Sequence, residues 1–204
     1  MRRSNWILLV IVIVVGILIA AAVSILHGGL SARATPTALE IFLARNVRHL
    51  AIPSKARAMA NPVADSADVQ QDARRHFADH CATCHANDGS GDGEIGKGLY
   101  PKPPDLREAR TQDLSDGELF WIIQNGVRFT GMPAFGSESD HDTEDSWKLV
   151  RFIRHLPKLT QEEKMDMEKY NPKGPEDREE EQEEQDFLNG APAAPAKEEP
   201  HHHH

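Results

Sequence analysis

The run Cys81-Ala82-Thr83-Cys84-His85 constrains this chain more than any other feature. It holds both cysteines of the 204 residues, so no thiol is left for a structural disulfide. Residues three apart on a helical turn share a face. Both thiols therefore point the same way, and the imidazole of the next residue follows them round. That arrangement suits a planar macrocycle, with two thioethers on one edge and an imidazole turned onto its central iron. C-x-x-C-H is accordingly the attachment sequence of a c-type haem. Two other readings compete. A zinc site would want two more thiols or paired histidines, and a thioredoxin-like redox pair belongs in a βαβ setting that this chain lacks.

The flanks say where such a site resides. Arg2 and Arg3 precede an apolar stretch from Trp6 to Leu26, broken only by Gly16 and Ser24. At about 1.5 Å per residue, a helix of that length spans a hydrocarbon core about 30 Å thick. Residues 1–28 thus read as a single-pass transmembrane anchor. A cleaved signal peptide is the rival, with Ala20-Ala21-Ala22 as its small residues, but apolar regions of signal peptides run only about 7–15 residues. Basic residues stay on the cytoplasmic side. The expected location is the bacterial cytoplasmic membrane, with the soluble part on the periplasmic side.

Residues 29–65 read as a juxtamembrane helix and a linker. Leu39, Phe42, Leu43, Val47 and Leu50 recur near helical spacing, with Arg45, Arg48 and His49 between them. Such a helix lies in the headgroup layer or packs on the soluble domain or a partner; periodicity does not choose. Ile52-Pro53 to Asn61-Pro62 reads as linker, because prolines interrupt regular elements.

Residues 66–157 carry the pattern of one helical domain. Asp68 to His80 has Val69, Ala73 and Phe77 on one stripe and runs straight into the cysteine motif. Gly89, Gly91, Gly93, Gly96, Gly98, Pro101, Pro103 and Pro104 then forbid long regular structure up to Arg110. A loop this long is ordered only against something; Ile95, Leu99, Tyr100 and Leu106 are its candidate contacts to a haem. Ser115-Asp116-Gly117-Glu118 has the form of a capping box, and Leu119, Ile122 and Ile123 follow on one face before Gly126. Gly131-Met132-Pro133 forms the next loop. Asp142 or Thr143 should cap a last helix with Trp147, Leu149, Val150, Phe152, Ile153 and Leu156, which Pro157 ends.

In motif and in order of parts, residues 66–157 resemble the class I c-type cytochromes. The resemblance implies an all-α, class I cytochrome c fold with one covalent haem c held by Cys81, Cys84, His85 and Met132, the last two as axial ligands. It also places Phe77, four residues before Cys81, against the C-terminal helix, with Leu149 and Phe152 as its matching pair. Ala73 departs from the family, which often has glycine where the two helices cross. Met132 has a blander alternative as a core-filling side chain. Met165 and Met167, among charges, read as surface or satellite packing, His76 and His80 as surface groups, His155 as a partner of the last helix's C-terminal dipole, and His49 as membrane-proximal. His/Met ligation raises the haem potential and leaves no open position. The expected role is one-electron transfer between respiratory-type membrane partners, with no catalysis and no small-molecule substrate. Alternatives are a relay subunit of a larger oxidase or reductase, and a haem sensor or peroxidase with an open sixth position.

Beyond the domain, Thr160-Gln161-Glu162-Glu163 resembles a second capping box and predicts a short helix to about Lys169. The rest of residues 158–204 reads as a low-complexity acidic C-terminal tail: Glu176 to Asp186 is almost continuously acidic, and Ala191 to Pro200 is Pro/Ala-rich. His201–His204 is either a native metal-binding tract or a shortened affinity tag. With 32 acidic against 23 basic residues, a net charge of −9 and no basic stripe, nucleic acid is excluded as a partner.

Overall fold

The computed structural model describes residues 3–28, 31–137 and 139–174, with positions 177, 182, 183, 185, 186, 188 and 189. Arg2, the Ala191–Pro200 stretch and His201–His204 lie outside the described residues, as does much of the acidic run. Every regular element among the described residues is helical.

Helix α1 (Arg3–Gly28) is long and apolar enough to cross a membrane, and its described apolar side chains are exposed along its length. Helix α2 (Ala38–Ala51) opens on a capping box. The Thr37 hydroxyl accepts from the Glu40 N–H at 3.3 Å, and the Glu40 carboxylate accepts from the Thr37 N–H at 2.6 Å. None of its residues is buried.

The stretch expected to be a linker is instead part of the packed body. Ile52 is fully buried, and a single turn, α3 (Ser54–Arg57), follows Pro53. Its Ala56 carbonyl presses on Gly117, where a Cβ would overlap it. The Ser115 hydroxyl donates to the Arg57 carbonyl at 2.9 Å, and the Asn61 amide donates to the Trp147 carbonyl at 2.9 Å. Arg151 donates twice to the Val63 carbonyl, at 2.8 and 2.6 Å. Prolines interrupt regular elements, but the Arg57 and Val63 carbonyls of this stretch are here bonded by distant side chains.

Helix α4 (Ala67–His76), capped by Ser66, leads through a π turn (Phe77–Cys81) into α5 (Ala82–His85). The glycine-rich loop ends at α6 (Ala109–Gln112), and α7 (Asp116–Asn125) follows with the expected capping box at Ser115 and Glu118. Helix α8 (Asp140–His155) starts earlier than expected. Its cap is Ser139, whose hydroxyl accepts from the His141 N–H at 3.2 Å, while Asp142 accepts from Ser137. Helix α9 (Gln161–Glu168) has the predicted box at Thr160 and Glu163.

Helices α4 and α8 cross to make the frame. Ala73, Phe77 and Ala78 of the first segment are buried with Leu149, Val150, Phe152, Ile153 and Leu156 of the second. The Phe77 and Phe152 rings sit 5.2 Å apart at 58°, a tilted contact worth about 0.5–1.5 kcal/mol beyond area burial. Leu119 and Ile123 of α7 close the core, and Phe120 stacks on Trp147 at 4.0 Å. Arg154 ties α8 to the turn before α7, reaching the Gln112 and Leu114 carbonyls and Asp116 at 2.9 Å. Met167 is a core residue, fully buried, rather than the surface or satellite methionine expected. The reason is the docking of α9: Arg74 reaches Glu163 at 3.2 Å and Asp166 at 3.3 Å, and His155 bonds Glu163 at 3.0 Å.

Candidate haem-attachment site

The cysteine motif sits where the π turn gives way to α5, so Cys81 closes the wide turn and Cys84 and His85 complete the next. Both thiols are free. Burial, reinforced by the neighbouring Cys84, pushes the Cys81 thiol up to about 12, and burial raises Cys84 as well. A thioredoxin-like pair requires a depressed thiol pKa, so the redox reading finds no support. Among the described residues no three His, Cys, Asp or Glu side chains gather to hold a metal ion.

Burial lowers the pKa of the His85 ring, and the Pro104 carbonyl acts in the opposite direction. Burial thus favours the neutral imidazole, the form that ligates iron. Its Nδ1 is buried without a partner at full hydrogen-bond geometry; Pro104 is the neighbour on that side able to orient the ring. An imidazole with a buried, unpartnered Nδ1 directly after two free thiols fits a c-type haem.

The chain must leave this turn abruptly. Ala86 does so with φ 58° and ψ 159°, in a region glycine normally occupies. The last carbonyls of α5, which have no helical partners, are then taken by the returning loop. The Gly91 N–H donates to the His85 carbonyl at 2.9 Å, Gly93 to Cys84 at 3.3 Å, and Ile95 to Thr83 at 3.0 Å. This close contact explains the glycines. A Cβ at Gly93 would meet the Ala82 carbonyl at 2.7 Å, and one at Gly96 would overlap the Cys84 carbonyl.

Met132 lies in a second locked loop. The Thr130 hydroxyl accepts from the Met132 N–H at 3.1 Å, and the Met132 carbonyl accepts from the Val127 N–H at 3.1 Å. Beyond it, Phe135 and Gly136 donate to the Ile123 and Gln124 carbonyls at 3.1 and 3.0 Å, which moors the loop to the end of α7. The Met132 side chain is partly buried against the core. Leu99 joins the two loops: it packs on Gly131 so closely that a Cβ there would stand 2.6 Å from its Cδ1.

Of the other expected loop contacts, Leu106 is buried in the core, whereas Ile95 and Tyr100 are exposed. His76 and His80 pair ring to ring on the flank of α4, at 4.8 Å. His155 is taken by Glu163, and His49 lies beside Glu118. Sequence reasoning treated Pro104, Gly93 and Gly96 only as breakers, and it overlooked Ala86 and Phe129. Phe129 stands 92% exposed with φ 62° at the tip of the methionine loop.

The family model for cytochrome c oxidase, cbb3-type, subunit III matches residues 68–153. This stretch is a c-type cytochrome domain. The match runs from α4 into α8, taking in the cysteine motif, the glycine loop and the Met132 loop, and leaves α1, α2, α3 and α9 outside. The c-type cytochrome domain has the class I, all-α fold, binds one haem c covalently and serves electron transfer. No curated protein matches the chain.

Proposed function

We propose that Cys81 and Cys84 carry the haem c, that His85 and Met132 are its axial ligands, and that the chain passes single electrons between respiratory-type membrane partners. The carrying observation is His85, its Nδ1 buried, directly behind two free thiols on a turn whose last three carbonyls are bonded by the glycine loop. Bound there, the haem supplies a one-electron iron couple. The two cysteines fix its edge, and the rigid turn fixes the angle of the imidazole. Leu99, packed on Gly131, and the partly buried Met132 would cover the haem from the second loop. His85 and Met132 would together hold the iron and leave no site for a substrate, so that the domain would carry electrons and a partner would supply any catalysis. Helix α1 anchors the chain once in the bacterial cytoplasmic membrane, with the domain on the periplasmic side, and transient docking uses the exposed Phe129 tip.

A second reading makes the chain an electron-relay subunit of a larger oxidase. The name of the matching family, an oxidase subunit, supports it, as does the packed stretch 52–63, which shortens the tether. Extraction in mild detergent separates the two readings: a stoichiometric complex supports the relay, and an isolated chain supports the carrier. The closed site itself is tested with carbon monoxide. The reduced native protein should not bind it, and ready binding would favour a sensor or peroxidase with an open position.

A further inference from the structure

An amphipathic helix on a soluble domain turns its apolar face inward; α2 does the reverse. Its polar side meets the body. The Tyr100 hydroxyl donates to Glu40 at 3.0 Å, His49 lies 3.4 Å from the Glu118 carboxylate, and Arg57 donates to the His49 carbonyl at 3.1 Å. Leu39, Phe42, Leu43, Val47 and Leu50 face away and are between 52% and 80% exposed. Asn46 falls within that stripe, but its amide donates back to the Phe42 carbonyl at 2.7 Å, which removes a donor from the face.

A contiguous apolar face of this kind needs a cover, and the chain itself says which. Helix α2 begins ten residues after α1 ends, so its start stands no more than about 36 Å from the end of the membrane helix. Residues 31–58 carry five basic side chains, Arg33, Arg45, Arg48, Lys55 and Arg57, against the single acid Glu40, in a chain of net charge −9. Arg48 and Arg57 are drawn partly to the body, but Arg33, Arg45 and Lys55 are exposed, and that local excess matches an anionic lipid surface. Ile52, fully buried just past the helix, pins α2 to the body.

We propose that α2 lies in the headgroup layer of the bilayer that α1 crosses, with its apolar stripe in the acyl boundary, against anionic phospholipid. The haem domain is thereby held in one orientation on the membrane rather than swinging on a tether. This inference goes beyond the electron-transfer reading and rests on α1 as the anchor, not on the haem ligands.

The test uses full-length holoprotein in vesicles of phosphatidylglycerol and phosphatidylcholine, with a fluorophore on Leu43→Cys, Leu50→Cys or, as control, Gln71→Cys. Flotation comes first: protein that does not float with the vesicles removes the anchor and this proposal with it. In floated vesicles, a nitroxide on the lipid acyl chain should quench positions 43 and 50 more than an aqueous nitroxide does, with the order inverted at 71. Aqueous-dominated quenching at 43 and 50 overturns the proposal. So does protection from both quenchers together with cross-linking of Leu43→Cys between copies, which would make a second chain the occupant.

Discussion

At the scale of single residues, Met132 carries the largest consequence. A methionine in a loop moored at both ends, with its side chain against the core, has been placed rather than tolerated. Met132→Ala should lower the reduction potential and admit carbon monoxide to the reduced protein, because the thioether favours ferrous iron. A redox titration checks this, and an unchanged potential would mean that another group holds the iron. Ala86 carries the opposite kind of evidence. A non-glycine residue at φ 58°, ψ 159° costs about 1–3 kcal/mol, whereas glycine adds roughly 0.5–1 kcal/mol of unfolded-state entropy. Ala86→Gly should therefore stabilise the holoprotein, read as a raised thermal midpoint. Cys81, Cys84, His85 and Met132 stand out in the sequence because their types and spacing suit the chemistry proposed for them. Pro104, Gly93 and Gly96 were visible only as breakers. What a carbonyl or a missing side chain touches is decided by a distant strip of backbone, and no local pattern encodes it.

At the scale of elements, periodicity and caps did most of the work. The stripe of Ala73 and Phe77 met that of Val150, Ile153 and Leu156, and the boxes at Ser115 and Thr160 started their helices where expected. The start of α8 was misplaced because Ser137, Ser139, Asp140, Asp142 and Thr143 are all competent caps and local chemistry does not rank them. The π turn leaves no mark in the residue pattern. Helix α9 adds a pH dependence. Burial raises the Glu163 carboxyl, but hydrogen bonds from the Thr160 backbone and from His155 and the Thr160 hydroxyl outweigh it, and the pKa lies below the ordinary glutamate value. A depressed folded-state pKa contributes stability above the unfolded value and loses it as pH falls through the folded one. Acidification below the glutamate range should thus loosen α9 before the frame. Protection factors for amide exchange in residues 161–168, corrected for intrinsic exchange at each pH, read this, and Glu163→Gln should weaken the dependence, with the depressed Asp166 carboxyl retaining its own share. Protection factors in α9 that do not fall with pH in the native protein would contradict the role of the pair.

At the scale of the whole molecule, two features lay beyond sequence reasoning for one physical reason. The stretch 52–63 and Met167 belong to the packed body because Gly117, Trp147, Arg151 and Arg74 receive them, and each of those partners is remote in the chain. Fold class and the haem motif were legible because they rest on local spacing and short-range periodicity. The result is a c-type cytochrome domain whose irregular middle is organised by the turn bearing Cys81, Cys84 and His85. The most direct measurement is the mass of the chain matured in a host competent for cytochrome assembly, followed by mapping of its peptides. The account predicts a polypeptide heavier by one haem, with the added mass on the peptide holding both cysteines. A chain weighing no more than its polypeptide, or a haem carried elsewhere, would contradict it.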